Sequence, residues 1–167
     1  MKHRGRGFTL MEVTLVVALI STIAYLSYGS LRELRRGFAI DTVTREFTTV
    51  CSLARSAAIR SGNTTAVEFS RRHMVAFHDL DASGQFEEDS DRRLSAPPSM
   101  PLFLKIFAKE GENIIRFNSQ GYSVNEAGDP VEVNVAVYDD SPQYKSSKRH
   151  QVDVLVSGAV RVVPLVD

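Results

Sequence analysis

The amino-terminal part of the chain is a long apolar run that a single carboxylate interrupts. From Phe8 to Tyr28 the only charged side chain is Glu12. A run of about 21 residues is long enough to cross a hydrocarbon core roughly 30 Å thick as a helix. The pattern therefore predicts a transmembrane helix over residues 8–28, with its basic flank in the cytoplasm and the rest of the chain outside it. That flank consists of Lys2, Arg4 and Arg6.

Helical periodicity continues beyond this run and predicts an amphipathic continuation over residues 29–62. Gly29 leaves open whether the helix is continuous or broken there, because glycine weakens a helix interior. Gly62 and Asn63, with Arg60 in the preceding turn, predict the end of the helix. We expect the face from Val43 onward to pack on the domain that follows. The apolar positions recur three and four residues apart, at Leu31, Leu34, Phe38, Ile40, Val43, Phe47, Val50, Ala54 and Ala57.

Past Gly62 apolar and polar residues alternate, which is typical of strands. Runs over 64–69 and 74–79 predict one hairpin, and runs over 151–156 and 160–163 predict a second. A long helix followed by antiparallel strands indicates an α+β fold. In this fold the helix packs on the antiparallel sheet of a β-rich globular domain, here residues 63–167. Further strands are predicted over 102–108, 114–117 and 131–138.

The start of the apolar run carries a motif. Residues 4–17 read RGRGFTLMEVTLVV, with Gly7 at the junction, Phe8 directly after it, and Glu12 in the fifth position counted from Phe8. This motif resembles the amino-terminal signature of type IV pilins and type II secretion pseudopilins. The resemblance implies that a prepilin peptidase cuts after Gly7, so that residues 1–7 are a leader peptide, and that Phe8 is then N-methylated. It also implies that the Glu12 carboxylate guides packing of the subunit into a filament.

Two other kinds of targeting segment share some of these features. An ordinary signal anchor has a basic flank and an apolar run, but it does not explain the combination of Gly7, Phe8 and Glu12. A cleavable secretory signal fits poorly, because its small-residue cleavage site should follow the apolar run. An unpaired acid within a membrane span costs about 2.5–3.5 kcal/mol and therefore indicates a function. The pilin-like interpretation accounts for that acid.

A second motif lies at the predicted end of the helix, where residues 53–62 read LARSAAIRSG. It resembles the motif that closes the long helix in FimT/FimU-type minor pilins, which are grouped with the type II secretion minor pseudopilin H. Arg55 and Arg60 keep the basic positions, whereas Ala57 stands where the family usually has an acid. Residues 115–121, which read IRFNSQG, also fit this group. The resemblance favours a minor pilin of a type IV pilus over a minor pseudopilin of a type II secretion system.

A minor pilin of this kind would be held in the inner membrane and face the periplasm. It would prime filament assembly together with other minor pilins and lie at the pilus tip. Its partners would be the prepilin peptidase, the other minor pilins and the major pilin, the inner-membrane assembly platform and membrane lipid. The resemblance implies that the amine of Phe8 in an adjacent subunit pairs with Glu12, and the helix face around residues 31–38 would also pack on neighbouring subunits. A membrane-tethered module that binds calcium or DNA outside any filament is the second alternative.

The charge balance argues against a nucleic-acid partner, and the lack of catalytic motifs argues against an enzyme. The formal net charge is zero and becomes negative without the leader's basic residues, so no global attraction to nucleic acid is expected. The single cysteine, Cys51, lies next to the apolar helix face, where a thiol acts as a small hydrophobe. No nucleophile motif surrounds Cys51, His73 or His78, and the four histidines lack metal-ligand spacing. We therefore expect no catalysis and no obligatory cofactor.

An acidic segment resembles the first part of a calcium-binding loop. Oxygen-bearing residues occupy positions one, three, five and nine of this segment, and glycine occupies position six. Position twelve, which carries a bidentate glutamate in a complete loop, is Ser90, although Glu88, Asp89 and Asp91 are near. A polar hairpin loop is the alternative, because Asp, Ser and Gly favour turns. The candidate ligands are Asp79, Asp81, Ser83, Gln85 and Glu87.

A basic patch follows the strand over 131–138. Lys145, Lys148 and Arg149 are candidate phosphate contacts, because clustered cations bind a nucleic-acid backbone. The patch is small and only Tyr144 could stack on a base, so a solvated loop over residues 145–150 is preferred and DNA is not expected as a partner.

Overall fold

The computed structural model describes residues 9–71, 73–81, 83–95, 100–141 and 148–165. Helix α1 spans Leu10–Ser61 without interruption, so the helix is continuous at Gly29. The chain divides into two compact units, one that ends at Arg35 and one that begins at Arg36. Each unit contains part of α1, and the strands belong to the second.

The part of α1 in the first unit is apolar and exposed. Its most apolar window has a mean hydropathy of 1.9, and the helix is long and apolar enough to cross a membrane. Hydroxyl groups within it donate to backbone carbonyls one turn earlier, such as Ser21 Oγ to Val17 O at 2.8 Å and Thr22 Oγ1 to Ala18 O at 2.9 Å. These bonds satisfy the hydroxyls within the helix, as hydrocarbon surroundings require.

From Arg36 onward, α1 buries one face. The buried positions recur three and four residues apart, and small residues near the helix end allow its backbone to approach the strands closely. The prediction that the helix packs on the following domain from Val43 onward is confirmed, and Ile40 extends this contact by one turn. The buried residues are Ile40, Val43, Thr44, Phe47, Val50, Cys51, Ala54, Ala57 and Ala58.

In the described part of the second unit, nine strands form two antiparallel sheets. The first sheet has the order β3-β2-β1-β5-β6 and the second has the order β4-β7-β8-β9. Both predicted hairpins are confirmed, because β1 pairs with β2 and β8 pairs with β9. The strands are β1 Thr65–Phe69, β2 Met74–His78, β3 Arg92–Arg93, β4 Leu104–Ala108, β5 Ile114–Phe117, β6 Ser123–Val124, β7 Val133–Asp139, β8 Arg149–Val154 and β9 Val160–Leu165.

One hydrophobic core joins the helix to both sheets. Phe47 of α1 contacts Phe69 of β1 edge to face, with ring centroids 5.2 Å apart. Leu104 of β4 and Val137 of β7 bring the second sheet into the same core. Each such side chain contributes about 1.5–3 kcal/mol by leaving water. The predicted α+β fold is confirmed, with two sheets in place of one.

Two short strands were missed, and one local prediction needs correction. Strands β3 and β6 were not predicted, because two residues are too short to show alternation. Arg149 and His150, which were expected in a loop, instead begin β8, where they pair with Tyr138 and Val137 of β7. That prediction is wrong because backbone pairing with β7 extends beyond the residues whose side chains alternate.

Candidate functional site

The predicted amino-terminal site residues are only partly within the described chain. Gly7 and Phe8, the predicted cleavage and N-methylation positions, lie outside it. Glu12 lies in the first turn of α1, and its backbone N–H donates to Oγ1 of Thr9 at 3.2 Å. Thr9 and Glu12 have the spacing of a capping box, and an acid there also interacts favourably with the helix dipole. Glu12 therefore has a local role in starting the helix, which the T-x-x-E spacing could have revealed.

The side chain of Glu12 stands on an exposed apolar surface. Leu10 is 83% exposed and Leu15 is 63% exposed. Among the described residues, none forms an ion pair or hydrogen bond with the Glu12 carboxylate. A charge left in this state within hydrocarbon costs about 2.5–3.5 kcal/mol. The carboxylate is therefore available to a partner from a second molecule.

Exposed apolar side chains also occur farther along α1. Leu31 and Leu34 of the first unit and Phe38 of the second are all more than half exposed. Exposed apolar patches are typical of interaction sites, and each unit has such side chains. The expected contact of this helix face with neighbouring subunits stays a prediction, and its side chains are free to make it.

The two family-like motifs of the second unit meet at the end of α1. Arg55 Nε donates to the backbone carbonyl of Gly121 at 3.1 Å, so the helix motif holds the motif over 115–121. Gly158, in the turn between β8 and β9, has φ +73°, and a Cβ there would lie 2.0 Å from that same carbonyl oxygen. Only glycine fits such a close approach in this backbone conformation. These motif residues therefore fix the joint between the helix and the strands.

An ion pair fastens α1 to the second sheet. Arg36 Nη1 donates to Asp139 Oδ2 of β7 at 2.8 Å, and the side chains are 12% and 0% exposed. The Arg36 guanidinium also lies over the ring of Phe103, 4.6 Å from its centroid. Removing one member of such a pair leaves a buried charge without compensation. Arg36 and Asp139 are therefore expected to hold the helix against β7.

One of the candidate nucleic-acid residues, Lys148, contacts the helix. Lys148 Nζ donates to Asp41 Oδ2 of α1 at 2.6 Å, and His150 Nε2 lies 3.1 Å from Asp41 Oδ1. Arg149 is half-buried within β8, and Lys145 lies outside the described residues. One of the three candidate phosphate contacts is thus engaged in an intramolecular ion pair, and the expectation that DNA is not a partner stays a prediction.

The acidic loop joins β2 to β3 and brings together only some of its predicted ligands. One carboxylate oxygen from each of Asp79, Asp81 and Asp91 lies within 4.8 Å of the other two. Glu87 is outside this group, because its Oε2 accepts from Ser90 Oγ at 3.4 Å. Asp91, which in sequence is one of the acids near position twelve, is the third carboxylate of this group.

Hydrogen bonds within the loop fix the carboxylates. Asp79 Oδ2 accepts from the backbone N–H of Gly84 at 3.2 Å, and Asp81 Oδ1 accepts from that of Ser83 at 3.0 Å. Burial raises the pKa of Asp79 above its ordinary value, whereas the Ser83 N–H lowers the pKa of Asp81. The cluster therefore contains one carboxylate for which ionisation is costly and a neighbour for which it is favoured.

The residues considered for thiol chemistry are placed differently. Cys51 is completely buried, and this burial raises the pKa of its thiol, so the nucleophilic thiolate is strongly disfavoured. His73 instead bridges the first hairpin, with Ser70 Oγ 2.7 Å from Nδ1 and Glu68 Oε1 3.1 Å from Nε2. Glu68 lies in β1, and Ser70 and His73 lie in the turn that joins β1 to β2, so these contacts stabilise the first hairpin.

The chain matches a known protein family and several solved structures. The family model of the type II transport protein GspH matches residues 43–158, more than half of the chain. Two crystal forms of the type IV minor pilin FimU from Pseudomonas aeruginosa are similar at 16% identity, with TM-scores of 0.60 and 0.58. These matches cover 75% and 74% of this chain and 88% and 92% of the FimU chains.

A secretion component has a similar fold. The minor pseudopilin EpsH from the Type 2 Secretion System of Vibrio cholerae matches with a TM-score of 0.54 and 13% identity, over 74% of this chain and 95% of that one. Identities this low show a shared fold alone. Among curated protein sequences, none matches this chain.

Proposed function

The chain belongs to the family of the type II transport protein GspH, and we propose that it is a minor pilin of a type IV pilus, which primes filament assembly and lies at the pilus tip. The observation that carries the proposal is Glu12, a single carboxylate on the exposed apolar surface of α1. Such a subunit works by packing against its neighbours, so the proposal contains no enzymatic step. The family match supports a pilin-like or pseudopilin-like subunit. The proposal adds the machine, the priming role and the position at the tip.

The proposed sequence of events begins in the inner membrane. Prepilin peptidase removes residues 1–7 after Gly7, and the new amino terminus at Phe8 is N-methylated. The first half of α1 then anchors the subunit, with the strands in the periplasm. During assembly the amine of Phe8 in an adjacent subunit pairs with Glu12, which removes an expensive unpaired charge from the apolar bundle. Other minor pilins, the major pilin and the assembly platform are the proposed partners.

A minor pseudopilin of a type II secretion system is the second candidate function. The description of the matching family as a type II transport protein favours it. The motif over residues 53–62 favours the pilus, because it resembles that of FimT/FimU-type minor pilins. Both candidates use the same anchor, the same cleavage and the same Glu12 pairing, and they differ in the machine that receives the subunit.

Deletion of the gene in its native host distinguishes the two machines. We expect surface piliation and twitching motility to be lost, because filament priming fails, while export of type II secretion substrates continues. Electron microscopy and assays of the culture supernatant measure both, and a plasmid copy of the wild-type gene should restore the pili. Intact pili together with lost secretion would instead assign the subunit to the secretion machine.

A further inference from the structure

The acidic loop between β2 and β3 contains a feature that the filament role does not use. Asp79, Asp81 and Asp91 converge so that one oxygen from each lies within 4.8 Å of the others. None of the three forms an ion pair with a described Lys, Arg or His. Three carboxylates this close repel one another, and the Arg116 guanidinium, which packs against Gly84, forms no ion pair with any of them. Neighbouring acids alone are common on protein surfaces, so the cluster needs an independent sign of a ligand.

Asp79 gives that sign. Its side chain is almost entirely buried, since the residue is 5% exposed. Oδ2 accepts the Gly84 N–H, but Oδ1 is buried with no hydrogen-bond partner. Buried polar atoms in native proteins are nearly always satisfied, and an unsatisfied one indicates a missing water or ion. One oxygen of Asp79 lies within 4.8 Å of an oxygen of Asp81 and of an oxygen of Asp91, so a cation bound at this point would contact all three carboxylates.

We propose that Asp79, Asp81 and Asp91 bind a calcium ion. Asp79, Asp81 and Ser83 have the spacing of positions one, three and five of a calcium loop, and Gly84 at position six has φ +74°. Asp91 at position thirteen replaces the acid that is missing at position twelve. Calcium accepts six to eight oxygens in flexible geometry, so water completes the shell, whereas magnesium demands a nearly ideal octahedron.

The loop is held in place by contacts on both sides of the cluster. Asp91 accepts the backbone N–H groups of Leu80 at 3.2 Å and of Glu87 at 3.0 Å, which ties the two ends of the loop together. The Phe86 ring packs on Phe77 of β2 with centroids 5.4 Å apart. Three carboxylates in a preformed loop suit an affinity in the range of extracellular calcium modules, with a Kd of about 10⁻⁴ to 10⁻³ M.

Calorimetric titration of calcium chloride into the full chain in detergent tests the site. Wild type should bind one calcium ion with this affinity, and Asp81→Asn should weaken binding about ten-fold or more because it removes one ligand charge. Asp81 is exposed, and the amide oxygen of asparagine can still accept the Ser83 N–H, so the fold should be kept. Asp89→Asn, the same change at an exposed acid of the same loop, is the matched control and should alter affinity less than about two-fold.

Several results would overturn the proposal. One is the absence of binding heat and of a thermal shift at about 10 mM calcium, roughly ten times the weakest expected Kd. Another is an equal loss of affinity in Asp81→Asn and Asp89→Asn, which would indicate diffuse attraction to acidic surface. Magnesium bound as tightly as calcium would contradict the assignment of the metal. Asp91→Asn provides a second test, because it should weaken binding as Asp81→Asn does.

Discussion

Replacing Glu12 with alanine should leave the protein in the membrane and cleaved, but should lower its incorporation into filaments about ten-fold or more. The unpaired carboxylate costs about 2.5–3.5 kcal/mol in hydrocarbon, and pairing with an amine of an adjacent subunit recovers much of this only in the assembled state. Each 1.4 kcal/mol of lost pairing is a factor of ten in the assembly equilibrium. Immunoblots of sheared filaments, compared with the membrane fraction, measure the effect.

The capping contact at Thr9 requires a second variant, because Glu12 also lies in the first turn of α1. Glutamine keeps the capping-box spacing but carries no charge. Glu12→Gln should therefore fail in assembly as alanine does, if charge pairing is the function of this residue. Normal assembly of Glu12→Gln with failure of Glu12→Ala would mean that helix capping, and not pairing, is what filaments require.

Replacing Arg36 with methionine should destabilise the second unit by about 3–5 kcal/mol. This change removes the guanidinium 2.8 Å from Oδ2 of the completely buried Asp139, so the buried carboxylate loses the charge of that partner. Amide hydrogen exchange of β7 and β8, measured on the full chain in detergent, reports the free energy of opening. Arg71→Met is the matched control, because its pair with Asp140 is exposed and should contribute about 1 kcal/mol or less.

A double variant separates the ion pair from simple packing. Asp139→Asn in the Arg36→Met background should recover part of the lost stability, since a neutral amide is less costly to bury than a carboxylate. The two single changes should therefore be non-additive by more than about 0.5 kcal/mol. Strict additivity would contradict the account, because it would mean that Arg36 acts through its contact with Phe103 alone.

Periodicity was sufficient to predict the elements with long, regular patterns. The apolar spacing from Val43 to Ala57 identified the buried helix face, and β5 was predicted at its observed bounds, Ile114–Phe117. Backbone pairing between strands does not depend on side-chain alternation, and for this reason β3 and the start of β8 were missed. The division of the strands into two sheets depends on contacts between distant segments, which a local pattern does not report.

The candidate site residues were also only partly predictable from local patterns. Motifs in continuous sequence predicted Glu12 and the pair Asp79 and Asp81, but Asp91 entered the cluster only when the loop closed on β3. The Arg36–Asp139 pair joins residues 103 positions apart, so no spacing in the sequence could indicate it. Motifs in continuous sequence can therefore single out such residues, whereas long-range pairs require the register of the strands.

The intact mass of the protein from membranes of its native host, with and without Gly7→Ala, tests the central claim most directly. The account predicts that wild type lacks residues 1–7 and carries one added methyl group, because prepilin peptidase cuts after Gly7 and Phe8 is then methylated. Gly7→Ala should yield the full-length, unmethylated chain. A wild-type chain that keeps all 167 residues in its own host would contradict the account and indicate a plain signal anchor.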